Sequence, residues 1–332
     1  MYRLPEQYAV RPATREDAEA MAALANAYSR RLTGSDVITT EQMAAQMTAP
    51  GFSLEDDTRL IHDVEGRPLA FGAVINLRAP YVQVYSWGMV DEAHQGKGIG
   101  SFLFEWILSR ARRAIDRAPA DTRVVMNQNV YENDAAADAF LRSRGFVPTR
   151  HFWRVAIDLD GPVDDPVWPN GMVPAVVDVE TELEDSVRAF HEAFRDHYGH
   201  VEEPLEESVE RTRHRIASDP DYDPSLNLVA RDGERIAGVC FCQPVSGTDR
   251  ESGYVGALGV LPEWRKRGLG LALLLEAFRR FRRLGKRHAH LHVDADSLTG
   301  ATRLYKRAGM HVDQLTHEYT LELRPGADLA TR

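Results

Sequence analysis

The sequence predicts a mixed α/β (α+β) chain of two tandem, similar domains, each a twisted sheet flanked by helices. Three observations lead there. The chain has 332 residues, which at about 150 residues per domain is room for two. Its motifs repeat: Val90 and Val260 are each followed eight residues later by Gly-x-Gly, at Gly98 and Gly100 and again at Gly268 and Gly270. Each half also runs through strands and then strand–helix–strand–helix, the order of a mixed sheet with helices on its faces.

Other segments repeat in the same order. Glu65-Gly66 before Leu69-Ala70-Phe71-Gly72 matches Asp232-Gly233 before Ile236-Ala237-Gly238-Val239. Each reads as a tight turn opening a buried strand. Ala137 to Gly145-Phe146 matches Ala301 to Gly309-Met310. Ordered matches with slightly drifting offsets are the mark of a duplicated domain. In the first half, a strand at 8–10 is followed by Thr14-Arg15-Glu16-Asp17, a capping-type helix start, and a helix rich in Ala and Met. Strands come next near 58–63, 69–77 and 81–90, then the glycine loop and a helix over 99–117. A strand at 123–129, a helix at 134–144 and a strand at 151–159 close it. The second half has helix 183–197, strands 226–231, 235–243 and 254–260, and helix 269–284. It ends with strand 288–293, helix 299–308 and strand 316–323. Pro162, Pro166, Pro169, Gly161 and Gly171 forbid regular structure between the halves. The expected domains are therefore 1–160 and 172–332, joined by a linker at 161–171.

Composition narrows the function. Hydrophobic residues are 43% and charged residues 27%, ordinary values for a globular chain. Lys plus Arg number 40 and Asp plus Glu 50, a formal charge of −10. A chain this acidic is repelled by a phosphate backbone, so nucleic acid is not an expected partner. No run reaches the roughly 18 apolar residues of a membrane helix; Leu271 to Leu275 is cut off by Glu276. The first residues carry no apolar signal-peptide core. Cys240 and Cys242 lie two apart on a strand and read as small buried hydrophobes. A cytoplasmic, membrane-free protein is expected.

The chemistry centres on the glycine loops. Each follows a strand and opens a helix. Glycine lets backbone N–H groups turn toward a ligand, and the helix N-terminus behind adds partial positive charge. Together they suit a pyrophosphate; Arg265, Lys266 and Arg267 add cationic donors. Neither loop has the GxGxxG spacing of a dinucleotide fold, and Gly285-Lys286 is followed by Arg287, which is no P-loop. His191-Glu192 opens like a zincin helix, but Arg195 stands where the second histidine would be. His288, His290 and His292 alternate along one strand. They read as a strand face against a helix or solvent, and no metal site is expected.

Gln95-x-x-Gly98-x-Gly100 and Arg265-x-x-Gly268-x-Gly270 resemble the (Q/R)xxGx(G/A) signature of GCN5-related N-acetyltransferases (GNATs). Ala301-x-x-Leu304-Tyr305-x-x-Ala308-Gly309-Met310 resembles that family's last helix. The tandem layout is similar to two-domain actinobacterial members of the mycothiol synthase type. The resemblance implies acetyl-CoA as donor. It implies that Leu258, Gly259 and Val260 in the second half, and Gly88, Met89 and Val90 in the first, line the pantetheine arm. The N–H groups of Arg265, Lys266, Arg267, Gly268, Leu269 and Gly270 would hold the pyrophosphate. So would those of Gln95, Gly96, Lys97, Gly98, Ile99 and Gly100. Asn133 and Leu298 fall among CoA contacts, Leu298 standing where many relatives have Asn.

The resemblance also implies that Tyr305 donates a proton to the leaving thiolate. The matching residue in the first half is the apolar Leu141, with Tyr131 as a possible substitute, so the second half is the expected catalyst. The base itself is not readable: Tyr254, where relatives often carry a catalytic Glu, reads as positioning a water, and Glu251 is the nearby carboxylate. Strand alternation places Tyr254 on one face with Gly256 and Leu258. Glu192 and Asp196, four apart on a helix, could draw in an amine. Arg279, Arg280, Arg282 and Arg283 read as a solvated helix end, with the CoA 3′-phosphate as the lesser reading. The expected reaction is transfer of an acetyl group to a primary amine of a small molecule, by direct attack on the thioester. The rivals are a cysteinyl glycoside acceptor, a non-catalytic acyl-CoA sensor, and acetylation of a peptide or protein N-terminus, which would need an open groove. An internal duplication slightly favours a monomer.

Overall fold

The computed structural model describes residues 3–296 and 301–331. The chain falls into two compact units. The first comprises Met1–Thr149, Ala217–Asp219 and Glu318–Leu329; the second comprises Arg150–Ile216, Pro220–His317 and Ala330–Arg332.

The first unit contains β1 (Tyr8–Arg11), α1 (Ala18–Thr33), α2 (Thr40–Met47), α3 (Leu54–Asp57), β2 (Thr58–Asp63), β3 (Pro68–Ile75) and β4 (Gln83–Val90). It continues with α4 (Ile99–Ala111), α5 (Ala114–Arg117), β5 (Val124–Tyr131), α6 (Ala135–Ser143) and the start of β6 (Val147–Asp158). Strands β1 to β4 pair antiparallel in sequence order, and β4 pairs parallel with β5. Alternation on β3 shows the two faces. Phe71 joins Met21, Ala22 and Ala25 of α1 in one cluster. Its neighbour Gly72 lies under Leu103 and Ile107 of α4. The start at Thr14 is capped as expected: its N–H donates to the Asp17 carboxylate at 2.7 Å, and Arg11 holds the same carboxylate.

The second unit takes the rest of β6 and adds β7 (Met172–Val176), α7 (Leu183–Phe194), most of α8 (Leu205–Ser218), β8 (Asn227–Asp232), β9 (Arg235–Gln243) and β10 (Ser252–Val260). Then come α9 (Leu269–Arg283), β11 (His288–Asp294), α10 (Ala301–Arg307) and the first half of β12 (His311–Arg324). The strand order is β12-β6-β11-β10-β9-β8-β7. Helix α9 covers one face, burying Leu269, Leu273, Leu274, Phe278 and Phe281. Helix α7 covers the other, with Phe190 ring-to-ring against Phe241 of β9.

Several differences from the sequence reading have physical causes. The compact units part at Thr149 rather than at 160, and residues 318–329 group with the first unit. Side chains explain this. Thr320 donates to Asn127 at 2.9 Å, Glu322 pairs with Arg123, and Arg324 donates to the carbonyls of Ile115, Pro119 and Thr122. Strand β7 and helix α8 have no clear sequence signal. The first is short, and the second has few apolar residues to set a period. The helix over 99–117 is broken into α4 and α5. Among the described residues, no helix is long and apolar enough to cross a membrane.

Gly253 shows how tightly α9 is seated. A Cβ there would lie 2.4 Å from the ring of Phe281, which is fully buried. Gly253→Ala should therefore lower stability by about 1–3 kcal/mol through overpacking, read as a reduced urea midpoint with an unchanged m-value.

Candidate functional site

The two glycine loops have one backbone plan. At the end of the preceding strand, the N–H of Asp91 donates to Leu69 O, and that of Leu261 donates to Ala237 O. A single 3₁₀ turn follows, at Glu92–His94 and at Pro262–Trp264. Gly98 and Gly268 then take left-handed conformations (φ 86° and 90°) as the residues before α4 and α9. Gly96 is also left-handed, and Lys266, its counterpart, adopts φ 61° despite its side chain. A Cβ at Gly96, Gly98 or Gly268 would meet nothing within 4 Å. The space a side chain would take at these three glycines is open, and the first amides of each helix have no partner within the helix. Such amides at a helix N-terminus suit a diphosphate.

The residue that opens each signature has a different use from the one expected. Gln95 donates its amide to Val90 O at 3.4 Å. Arg265 donates Nε to Val260 O at 2.9 Å and Nη2 to Ala193 O at 3.1 Å. Its guanidinium also grips the Asp196 carboxylate through both Nη atoms. The Arg265 side chain therefore ties the loop to the strand end and to α7, and is not a spare cation for phosphate. Lys266 and Arg267 remain exposed. Asp196 is likewise occupied: Arg265 holds its carboxyl below the usual carboxylate range. That removes it as a free attractor for an amine. Sequence spacing does not reveal this pair because its members are far apart in the chain.

Beside each loop the sheet opens. Parallel pairing of β10 with β11 covers Ser252, Gly253 and Tyr254 and then stops. Pairing of β4 with β5 covers Gln83, Val84 and Tyr85. One edge of residues 255–260, and of 86–90, is thus left without a strand partner. Leu258, Gly259, Val260, Met89 and Val90 all lie on these edges. An unpaired row of backbone donors and acceptors suits an extended amide-bearing chain. Gly259 is required on packing grounds as well: a Cβ would come within 2.8 Å of Ala193 and Phe194.

β10 has a bulge that β4 lacks. Tyr254 and Val255 pair with Gln243 and Cys242, but Ala257 and Leu258 pair with Phe241 and Cys240. Gly256 is the extra residue, and it reverses the alternation. Tyr254 therefore shares a face with Ala257, not with Leu258. In β4 the register with β3 is unbroken from Tyr85 to Val90.

Tyr305 is nearly fully buried, in the cluster that contains Cys240, Leu291 and Val293. Burial pushes its phenol up, so the hydroxyl stays protonated at neutral pH. Leu141 is its structural counterpart. Met310 N–H donates to Tyr305 O at 3.0 Å and Phe146 N–H to Leu141 O at 3.1 Å, each beside a glycine at φ 87°. Tyr131 packs near Tyr28. Cys240 and Cys242 are buried free thiols with sulfurs 3.6 Å apart, as read from the sequence.

The α7 side of β10 and β11 has the polar groups. Tyr254 Oη lies 3.1 Å from His292 Nδ1. His290 Nδ1 lies 3.2 Å from Ser246 Oγ. On β6, Arg154 makes a two-pronged ion pair with Asp313. The histidine alternation is visible in the sequence, but these partners are not. Glu251 is elsewhere. It precedes β10 at the end far from the loop, is largely exposed, and lies 3.9 Å from Arg287. Asn133 uses its amide on Leu32 O at 2.8 Å, and Leu298 lies outside the described residues. Arg279, Arg280, Arg282 and Arg283 end α9, roughly 15–20 Å of helix from the loop. Arg280 is tied to Glu276 and to Ser225 O. Among the described residues no group of three or more side chains could hold a metal ion.

Comparison with known proteins agrees with this geometry. The model of the Acetyltransferase (GNAT) family matches residues 21–146 and 187–310. A mycothiol acetyltransferase of Segniliparus rotundus is 32% identical over 236 residues, covering 70% of this chain and 83% of the relative. One from Saccharopolyspora erythraea is 27% identical over 222 residues, covering 66% and 70%. The crystal structure of a GCN5-related N-acetyltransferase from Sphaerobacter thermophilus has a TM-score of 0.81 at 31% identity, covering 98% of this chain and 99% of that one. A tandem GNAT protein from the clavulanic acid biosynthesis pathway shares the fold, with a TM-score of 0.73 at 15% identity and coverage of 96% and 99%. With two matched regions, two loops of one plan and a parallel strand pair that splits beside each, the chain belongs to the GNAT family, an acyltransferase of two GNAT-like domains that takes its acetyl group from acetyl-CoA.

Proposed function

We propose that the second unit performs the chemistry and that the acceptor is a primary amine of a small molecule. The contrast between Tyr305 and Leu141 carries this reading. They occupy equivalent turns of α10 and α6, and only one has a proton to give. Acetyl-CoA, when bound, supplies the thioester that the amine attacks. The amides of residues 265–270 would hold its diphosphate, and the unpaired edge of 258–260 its pantetheine arm. Tyr305 keeps its proton at neutral pH and gives it to the leaving sulfur, which stabilises the thiolate without a fixed charge. The first unit has the same loop and the same split but no donor at 141. It would bind without turning over.

A second reading names the acceptor more narrowly as a cysteinyl glycoside. It is supported by the curated relatives, which are named mycothiol acetyltransferases. Thiol release from acetyl-CoA over a panel of amino sugars, cysteinyl glycosides, amino-acid amides and arylalkylamines separates the two.

Tyr305→Phe should lower kcat about a hundredfold, with little change in KM for acetyl-CoA; an unchanged kcat would remove the second unit from the chemistry. Asp196→Asn frees Arg265 from its brace. Its expected effect is a roughly twofold to fivefold higher Kd for acetyl-CoA by calorimetry, the range of an exposed ion pair. The melting temperature should hardly move.

A further inference from the structure

We propose that Tyr254 and His292 form a proton relay that receives the proton of the acceptor amine. The neutral amine attacks with its lone pair and forms the N–C bond; an N–H proton of the resulting tetrahedral adduct passes to Tyr254 Oη, while the Tyr254 hydroxyl proton moves to His292 Nδ1. The C–S bond then breaks and Tyr305 protonates the sulfur. The imidazolium returns to neutral by losing a proton to water, and water returns one proton to Tyr305. This rests on the second unit being the catalyst.

Position is the first support. Tyr254 is the last residue of β10 that pairs with β11, opposite His290. His292 lies two residues further along β11, past the end of that pairing. The Tyr254–His292 contact, 3.1 Å long, therefore spans the mouth of the split, beside the unpaired strand edge that would hold the donor. Its rings are tilted at 59° with centroids 5.8 Å apart, and the hydroxyl rather than the ring face makes the contact.

Environment is the second. The His292 ring is open to solvent, yet enough protein surrounds it to pull its pKa down to about 4. Both facts fit the floor of a cleft. Arg154, opposite His292 in the β6 register, lowers the value further, as does His290, while Asp313 opposes them. The result is a proton affinity close to that of an ordinary glutamate, about 4.3. The imidazole is thus uncharged and able to accept a proton through the neutral range. Burial raises the Tyr254 phenol, so the tyrosine passes a proton on without resting as tyrosinate. Nδ1 is the engaged nitrogen, which leaves Nε2 for exchange with water.

The test uses the full chain, acetyl-CoA and the amine turned over fastest in the panel above. His292→Ala and Tyr254→Phe should each lower kcat about a hundredfold and leave KM for acetyl-CoA unchanged. Added imidazole should restore at least a tenth of the lost rate to His292→Ala and none to Tyr254→Phe. His292→Gln can still hydrogen-bond to Tyr254 but takes no proton, so it should stay slow. Wild-type kcat in His292→Ala, full activity in His292→Gln, or failure of imidazole to rescue His292→Ala would each overturn the relay. If Tyr305→Phe remains impaired in those cases, only the relay falls. If Tyr305→Phe is also fully active, the assignment of the second unit falls with it.

Discussion

The site depends on one constraint: β10 pairs with β11 through three residues and no more. A parallel strand pair normally satisfies backbone groups along its whole length. Here the ladder stops at Tyr254, and the donors and acceptors beyond it need another partner. An amide-bearing arm can supply one. The bulge at Gly256 follows two residues later and re-aims the strand, which turns Leu258 to the α9 side and leaves Tyr254 on the α7 side. Gly259 then lets Phe194 come close enough for Arg265 to reach the Ala193 carbonyl and Asp196. Strand, bend and first helix are thus set by a short run of small residues.

The two units show how much of this frame is independent of the chemistry. Loop, 3₁₀ turn, left-handed glycine and split sheet are reproduced in both. The differences are single positions: Gly96 against Lys266, Gln95 against Arg265, Leu141 against Tyr305, and an unbroken β4 against a bulged β10. Backbone hydrogen bonds maintain the frame, while side chains at its rim decide what is done there.

The fold is legible because its signals are local. Gly98 and Gly268 can be read from spacing alone, since only a left-handed residue permits that bend. Tyr305 is legible as a position within a helix. The sequence is silent where the determining contact joins distant residues. Nothing near Arg265 announces Asp196, and nothing near His292 announces Tyr254. Alternation alone puts Tyr254 and Leu258 on one face, which is wrong because a bulge of one residue inverts a period of two. Glu251 is near Tyr254 in sequence, but it lies before the strand begins, at the end away from the split. Helix α8 is hidden because its polar composition resembles a loop.

Residues 318–329, the partners of Asn127, Arg123 and the carbonyls around Thr122, follow β5 in the chain only after every element from α6 to α10. Until they leave the ribosome, the strand edge they cover on the first unit stays bare. The first unit is therefore completed only after nearly all of the second has been made. A nascent chain must keep β5 from wrong pairings throughout that interval, a demand on folding in the cell that the tandem arrangement alone would not create.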